Sequence, residues 1–236
     1  MQRYFVDNKN LNLNQKDIHH IKNVMRMKIG DLIEIINEEK LYICKIIEIT
    51  KEDIKLKIIE EKNDNNELKK HITIAFSITK EEKIDLILQK CTELGVKEFI
   101  PLELSRCNVK IDKNKELKKI ERWQTICKEA SEQSKRNLIP IVNKIHKLKD
   151  IINLDYDLKI VCSVNQDAIN INNMLHNNPN CDKIIFVIGP EGGISLEEER
   201  LLIENGFIPT SLGKRILRTE TTPIVISSIL NYEYME

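Results

Sequence analysis

The sequence predicts an α/β protein in which a small N-terminal β domain precedes a larger domain built on a mostly parallel sheet. Short isoleucine-rich segments between residues 32 and 62 predict the first part. After residue 71, strand and helix patterns alternate, which indicates parallel strands joined by helices. Three of the seven glycines lie between residues 189 and 193, directly after an apolar run. A strand that ends in such a loop and continues as a helix is typical of a ligand crevice in an α/β protein.

The first seventy residues contain three predicted strands separated by polar turns, at Leu32–Ile36, Tyr42–Ile49 and Ile54–Ile59. They predict a small antiparallel barrel or sheet. Glu60–Lys70 is charged and almost devoid of apolar side chains, so we interpret it as a linker. These patterns place the two domains at residues 1–68 and 71–236.

The larger domain alternates predicted strands and helices. The strands are His71–Thr79, Phe99–Leu104, Leu158–Val164, Ile184–Ile188 and Thr210–Leu212. The first helix ends at Gly95, a residue type that favours the position after a helix. Its apolar face is formed by Ile84, Ile87, Leu88, Cys91 and Leu94. A long amphipathic helix is predicted over roughly residues 115–135, and shorter helices near 169–177, 196–205 and 220–234.

Two glycine loops follow predicted strands of this domain. In the first, Gly189–Gly193 precedes Ser195 and Glu198, which have the spacing of a helix capping box. The second runs from Leu212 through Gly213 to Thr219, a candidate N-cap, with Pro223 in the first turn of the next helix. Each loop alone is explained by a tight turn. Together they predict a wall of backbone amides and carbonyls suited to an adenosine-type ligand.

Composition and spacing argue against several other classes. The chain has 37 basic and 37 acidic side chains, so net charge neither favours nor excludes nucleic acid. Neither the P-loop nor the G-x-G-x-x-G pattern occurs. Glu191 and the run Glu197–Glu199 disfavour a polyphosphate, and a ligand that carries a cation fits better. The six cysteines and five histidines show no metal-ligand spacing, and the N-terminus lacks a signal-peptide core. We therefore expect no metal and a cytoplasmic location.

Basic residues cluster in three places, and contact with a phosphodiester substrate is one explanation for them. The candidates for such contacts are Arg3, Lys22, Arg26, Lys28, Arg106 and Arg136. For any one cluster, a solvated surface is an equally good explanation. A basic rim around the two-loop crevice instead indicates a phosphodiester substrate.

The chain resembles a known family nearly from end to end. The resemblance is carried by Arg3–Phe5, His20–Asp31, Gln89–Val96, Ser105–Arg106, Glu129–Arg136 with Pro140, Gly189–Gly193 and Leu212–Thr221. These segments resemble the bacterial small-subunit ribosomal RNA (uracil-N3) methyltransferases, the RsmE family of the SPOUT superfamily. Lys135 and the pair Thr222-Pro223 depart from the family pattern, outside both glycine loops.

The resemblance implies a fold, a cofactor and a substrate. It implies a C-terminal SPOUT domain with a deep trefoil knot, and an N-terminal PUA-like β-barrel domain that grips RNA. The cofactor is S-adenosylmethionine, and the substrate is one uridine of 16S ribosomal RNA within the small ribosomal subunit. It also implies a homodimer with the active site near the subunit interface.

The resemblance also implies site residues. Those expected to bind the cofactor are Cys162, Ser163, Ile188, Gly189, Pro190, Glu191, Gly193, Leu212, Gly213, Ile216, Leu217 and Arg218. Arg218 is the candidate cation for charge that develops on uracil oxygens, because N3 must lose a proton to become a nucleophile. Glu220 and Glu191 are candidates to orient Arg218 or to accept that proton, and helix capping is the alternative for Glu220.

Two other classes of function remain open from the sequence. One is a non-catalytic RNA-binding or ribosome-assembly protein that retains a relic SPOUT domain. The other is a nucleotide-dependent metabolic enzyme that acts on a small molecule.

Overall fold

The computed structural model describes residues 1–8, 10–165 and 167–235. The chain divides into two compact units. One consists of residues 1–67 with 128–138, and the other of residues 68–127 with 139–236. The last turns of a long helix thus belong to the N-terminal unit, which the sequence pattern alone did not indicate.

The N-terminal unit contains a four-stranded sheet among the residues that the structure describes. Its strands, in sheet order, are β1 (Arg3–Phe5), β2 (Leu32–Asn37), β3 (Lys40–Ile49) and β4 (Ile54–Lys62). β1 pairs parallel with β2, and the other pairs are antiparallel. Helix α1 (Gln15–His19) and a π-helical turn (His20–Val24) connect β1 to β2. Alternate residues such as Ile33, Ile35, Cys44 and Ile46 form the core.

The predicted linker begins too early. Glu60, Glu61 and Lys62 pair with Ile43, Tyr42 and Leu41 as the end of β4. Their side chains are exposed, so their polarity resembles that of a linker. The ladder needs only their backbone groups, which is why composition alone misplaced this boundary.

The C-terminal unit is an α/β structure with a parallel sheet. Its elements, with α3 extending into the N-terminal unit, are β5 (His71–Ser77), α2 (Glu81–Glu93), β6 (Glu98–Glu103), α3 (Lys113–Gln133), β7 (Ile141–Val142), β8 (His146–Lys147), α4 (Leu148–Ile151), β9 (Leu158–Cys162), β10 (Ile169–Asn170), α5 (Ile171–Asn177), β11 (Lys183–Ile188), α6 (Leu196–Glu204), β12 (Ile208–Ser211) and α7 (Thr221–Tyr234). The strand order is β10-β12-β9-β11-β5-β6-β7, with β8 also paired to β6. Every pair described in this sheet is parallel.

The central strand β11 shows why this sheet is covered on both faces. Ile184, Phe186 and Ile188 pack in one core with residues of α2, α3, α5 and α7. Ile185 and Val187 pack in the opposite core with residues of α4 and α6. A strand buried on both faces has an uninterrupted apolar sequence, as 184–188 does.

Several predicted elements need correction at their ends. The long helix ends at Gln133, and Lys135 adopts a left-handed backbone with φ +62°. The helix predicted near 169–177 begins at Ile171, because Ile169 and Asn170 pair with β12. Gly95 follows α2 with φ +93°, as predicted for a residue after a helix.

Candidate active site

A cavity of about 770 Å³ lies at the carboxyl edge of the parallel sheet, within the C-terminal unit. Its walls follow the ends of β9, β11 and β12, which are adjacent strands. The first glycine loop, residues 189–195, and the second loop, residues 212–220, both contribute to it. The two turns that the sequence singled out therefore meet in space.

Close packing explains the glycines of the first loop. A Cβ on Gly189 would lie 2.7 Å from Cγ1 and 3.0 Å from the backbone nitrogen of Ile194, and Gly193 adopts φ +71°. The loop ends in the predicted capping box: Ser195 Oγ accepts from the Glu198 amide, and the Glu198 side chain accepts from the Ser195 amide.

The segment after β6 is hydrogen-bonded to this loop and to the start of α6. Arg106 Nη1 donates to the carbonyl oxygen of Gly192 at 2.9 Å. Ser105 donates through its amide and its hydroxyl to the Glu198 carboxylate, at 2.7 and 2.9 Å. The first loop is thus fixed by side chains more than 80 positions away in sequence.

The second loop is more open. Gly213 adopts φ +113°, and the side chains of Ile216 and Arg218 are 85% and 83% exposed. The predicted cap at Thr219 is wrong by one residue: α7 has Glu220 at its N-cap, without a side-chain capping bond. The amide of Thr222 instead bonds to the Arg218 carbonyl, which continues the helical turn backwards.

A charged network joins the two loops. Lys83 Nζ lies 2.9 Å from Glu191 Oε1 and 3.0 Å from Glu220 Oε2. Thr79 Oγ1 also donates to Glu191 Oε1, at 2.7 Å. Arg218 Nη1 stands farther away, 4.0 Å from Glu220 Oε1.

Lys83 keeps both carboxylates ionised. Burial raises the pKa of Glu191, but hydrogen bonds from Lys83 and Thr79 outweigh burial and lower it to about 2. Burial likewise raises the pKa of Glu220, and a backbone hydrogen bond together with Lys83 lowers it below its ordinary value. The same pairing raises the pKa of Lys83. The network therefore carries fixed charges at neutral pH.

Another part of the wall comes from the end of β9. Ser163 Oγ donates to Glu199 Oε1 at 2.6 Å, and Asn165 Nδ2 donates to both oxygens of this carboxylate at 3.0 Å. Burial raises the pKa of the Cys162 thiol to about 12. This thiol therefore stays protonated and is unsuited to act as a nucleophile.

The cavity gathers the residues that the sequence proposed for cofactor binding. It is lined by Cys162, Ser163, Ile188, Gly189, Pro190, Glu191, Gly193, Leu212, Gly213, Ile216, Leu217 and Arg218. Of the candidate catalytic residues, Glu191 and Arg218 line the cavity, and Glu220 reaches it through Lys83. Arg106, proposed for RNA, also lies on its wall.

Two of the proposed RNA-binding arginines are buried, which argues against a phosphate contact. Arg3 pairs with Glu34 at 2.8 Å, and Arg136 pairs with Glu67 at 2.5 Å. Each arginine side chain is only 3% exposed. Each arginine neutralises a largely buried carboxylate of the N-terminal unit, and the carboxylate would be costly without this partner.

Three further proposed RNA contacts, Lys22, Arg26 and Lys28, belong to the N-terminal unit. Arg26 and Lys28 are exposed, and Arg26 has a left-handed backbone with φ +52°. The Lys22 ammonium donates to the carbonyl oxygens of Thr50 and Lys51. Of the three, Arg26 and Lys28 are the more available to a phosphate.

Sequence reasoning missed several residues of the cavity wall. They are Lys83, Val164, Asn165, Gly192, Ile194, Leu196, Glu199, Thr210, Ser211, Arg215, Thr219 and Thr222. Most adjoin a predicted residue and follow from it. Lys83 adjoins none of the predicted residues. The sequence did offer a signal for it, because Lys83 follows the carboxyl end of β5 and the carboxyl ends of parallel strands meet at one edge of the sheet.

Residues 1–8, 10–165 and 167–235 contain no group of three or more His, Cys, Asp or Glu arranged to hold a metal ion. Within the same ranges, no helix has the length and apolarity needed to cross a bilayer.

Comparison with known proteins identifies the family. Residues 66–231 match an RNA methyltransferase domain, and residues 13–59 match an RNA methyltransferase PUA domain. The ribosomal RNA small subunit methyltransferase E of Bacillus subtilis is 36% identical, over 99% of this chain and 97% of that protein. The chain belongs to this methyltransferase E family. The enzyme of the same name from Mesomycoplasma hyopneumoniae is 34% identical, over 96% of this chain and 97% of the relative.

Solved structures of similar proteins share the fold. The Neisseria gonorrhoeae methyltransferase E, bound to S-adenosylmethionine, superposes with a TM-score of 0.89 at 30% identity, covering 99% of this chain and 98% of that one. A Legionella pneumophila protein in complex with the bound cofactor SAM gives 0.91 at 32% identity and the same coverage. The expected architecture, a mostly parallel α/β methyltransferase domain with a small PUA domain, is confirmed.

Proposed function

We propose that this protein transfers a methyl group from S-adenosylmethionine to N3 of one uridine in 16S ribosomal RNA of the small subunit. The observation that carries the proposal is the meeting of the two glycine loops around one cavity. Membership of the methyltransferase E family supports the cofactor and the ribosomal RNA. The choice of uridine N3 comes from the resemblance described above.

The cavity suits the proposed cofactor in size and lining. Its volume of about 770 Å³ is within the range of roughly 300–1,000 Å³ that is usual for small-molecule sites. Residues of both loops line it, and we assign their backbone groups to hydrogen bonds with the adenosine. When bound, the cofactor supplies an activated methyl group on a sulfonium.

Arg218 is the residue that we propose to act on the acceptor. Uracil N3 is a poor nucleophile until its proton leaves, and the charge then spreads onto O2 and O4. The exposed Arg218 guanidinium at the cavity mouth provides a cation for these oxygens. Glu191 and Glu220 have lowered pKa values and are weak bases, so we assign them to orientation and leave proton removal to solvent.

The remaining parts of the proposal concern RNA, assembly and location. We assign the PUA-like domain, with Arg26 and Lys28, to the RNA backbone, and assign Lys22 and Arg106 to supporting contacts. Val164, Leu196 and Ile216 are 75–85% exposed around the cavity, which supports an interface with a second copy of the chain. The trefoil knot and the homodimer stay predictions of the resemblance, and a ribosomal substrate implies a cytoplasmic enzyme.

The decisive experiment is mass spectrometry of small-subunit RNA from cells with and without this protein. We expect one N3-methyluridine to disappear with the gene and to return with the wild-type protein. The Arg218→Ala variant should bind S-adenosylmethionine in calorimetry but fail to restore the methyl group. If this variant restores the methyl group to the wild-type level, the proposed role of Arg218 is wrong, while the proposed reaction still stands.

Two outcomes would favour the other classes of function. Absence of cofactor binding at millimolar S-adenosylmethionine favours an RNA-binding or ribosome-assembly protein. Tight cofactor binding without affinity for ribosomal RNA favours an enzyme with a small-molecule substrate.

A further inference from the structure

Lys83 lies between the two loops and forms an ion pair with each of them. It lies in the first turn of α2, lines the cavity, and contacts one carboxylate from each loop, Glu191 at 2.9 Å and Glu220 at 3.0 Å. Its side chain is 25% exposed. A single cation therefore connects the two segments that form the cavity.

Helix α2, which carries Lys83, is packed against the core of the C-terminal unit. Ile84 and Ile87 of α2 are buried in the same core as Ile226 and Leu230 of α7, the helix that the second loop precedes. The first turn of α2 is thus anchored on the apolar interior while the loops lie at the surface. Lys83 thus extends from a packed helix to a carboxylate of each loop.

The relation between Glu220 and Arg218 shows what this contact does. Glu220 is within 3.0 Å of Lys83 but 4.0 Å from Arg218, whose side chain is 83% exposed. Carboxylates bind guanidinium groups strongly and often through two parallel hydrogen bonds. Glu220 therefore pairs more closely with Lys83 than with Arg218, whose guanidinium remains largely exposed.

We propose that Lys83 is a positioning residue for methyl transfer: it neutralises Glu220, so that Arg218 stays free for the substrate, and it ties Glu191 and the first loop to the second. This inference rests on the proposed function and assigns that site a residue beyond Arg218. Lys83 acts through Glu220 and Arg218 and does not itself contact the reacting atoms.

Three variants test the proposal in the whole protein. Lys83→Met keeps the length of the side chain without its charge, and Lys83→Arg keeps the charge. Lys119→Met is the matched control, because Lys119 pairs with Glu81 of the same turn, is 30% exposed, and does not line the cavity. With saturating cofactor and small-subunit RNA, we expect Lys83→Met to slow single-turnover transfer about tenfold, since small misplacement of reacting groups is costly.

The controls separate a positioning role from a general loss of structure. Lys83→Arg should recover most of the rate, and Lys119→Met should keep all of it. Lys83→Met combined with Glu220→Gln should be no slower than Lys83→Met alone, because both changes act on one pair. If the wild-type protein transfers methyl groups and Lys83→Met stays within twofold of the control, the proposal is wrong.

A second measurement needs neither cofactor nor substrate. Nuclear magnetic resonance follows the Nε–H of Arg218, assigned by its loss in Arg218→Ala, in the protein alone. We expect its exchange with water to slow severalfold in Lys83→Met, because Glu220 then captures the guanidinium, and to return to the wild-type rate when Glu220→Gln is added. An unchanged signal in Lys83→Met overturns the proposal even if the proposed function also fails.

Discussion

The guanidinium of Arg106 donates a 2.9 Å hydrogen bond to the carbonyl oxygen of Gly192. A Cβ on Gly192 would lie only 3.3 Å from the Cβ of Arg106, so the two residues are also packed together. The bond connects the end of the β6 segment to the first glycine loop. An arginine that the sequence assigned to RNA is therefore in contact with the proposed cofactor site.

Arg106→Met should weaken cofactor binding. Loss of one charge-assisted hydrogen bond at an exposed site corresponds to about 1 kcal/mol, or about fivefold in the dissociation constant for S-adenosylmethionine. Calorimetry measures it, and Arg122→Met is the control, because Arg122 is exposed and pairs with Asp85 away from the cavity. An unchanged cofactor affinity, with a smaller salt dependence of RNA binding, would assign Arg106 to RNA alone.

Gly189→Ala should damage the first loop more than Gly192→Ala. The added Cβ at residue 189 meets the Ile194 backbone nitrogen at 3.0 Å, whereas at residue 192 it meets the Arg106 side chain at 3.3 Å. Backbone yields less easily than a side chain, and overpacking costs about 1–3 kcal/mol. We expect a larger loss of cofactor affinity for Gly189→Ala in calorimetry. Equal losses would show that the loop relaxes around either methyl group.

The local part of this site was predictable from the sequence, and the long-range part was not. Glycines 189 and 193, with the Ser195–Glu198 cap, follow rules that act over a few positions, and the structure reproduces the cap. The burial of Arg3 and Arg136 depends on Glu34 and Glu67, which are 31 and 69 positions away. Charge alone does not distinguish such arginines from surface ones.

One helix start was predicted wrongly, and one strand was missed. Thr219 has a good capping side chain, but the helical turn begins from the Arg218 carbonyl and Glu220 becomes the N-cap. The short strand β1 escaped notice because three residues carry too little periodicity, and its pairing with β2 is parallel. A local backbone hydrogen bond decided the first case and a tertiary pairing decided the second, while local propensity decided the long elements.

Arg26→Ala should weaken RNA binding and reduce its salt dependence. Arg26 is exposed on the N-terminal unit, and each lost phosphate contact lowers the slope of log K against log salt by about 0.7–0.9. Filter binding or anisotropy with small-subunit RNA at several salt concentrations measures this slope. Lys55→Ala is the control, because this exposed lysine already pairs with Glu48. A slope equal to that of the control excludes Arg26 from the RNA contact.

Glu98→Gln should destabilise the protein near neutral pH but little in acid. Burial raises the pKa of Glu98, but hydrogen bonds from His71, Asn143, Thr73 and Tyr156 outweigh it and lower the value to about 2. A carboxylate with a lowered pKa stabilises the fold above its ordinary pKa and loses this contribution as the pH falls through the folded value.

The expected difference in unfolding free energy between wild type and Glu98→Gln is on the order of 3 kcal/mol at pH 6. It should shrink steadily between pH 4.5 and pH 2, because the wild-type carboxylate becomes protonated there. Denaturant titrations at several pH values measure it, with Glu121→Gln on the exposed face of α3 as the control. A difference that does not depend on pH contradicts the assigned ionisation.

Glu132→Gln should have the opposite effect on the free energy of unfolding and stabilise the protein near neutral pH. Burial raises the pKa of Glu132, the nearby Lys128 opposes this effect and Asp17 adds to it, and the result is a pKa of about 7. The folded state therefore holds this proton more tightly than the unfolded chain, so wild-type stability is complete below the ordinary pKa and falls as the pH rises towards 7. Glutamine removes this loss while Lys128 keeps its pair with Asp17 at 3.0 Å.

We accordingly expect Glu132→Gln to gain on wild type between pH 5 and pH 8, by on the order of 2–3 kcal/mol. The measurement is the unfolding free energy, or the melting temperature, of both proteins across this range. Glu129→Gln on the same helix is the control, since Glu129 is exposed. A Glu132→Gln protein whose stability runs parallel to wild type from pH 5 to pH 8 would show that Glu132 ionises normally beside Lys128. A gain in stability that Glu132→Gln shows and Glu129→Gln does not would identify Glu132 as the titrating group. Glu132 then titrates within the N-terminal unit, to which its neighbours Lys128 and Asp17 also belong.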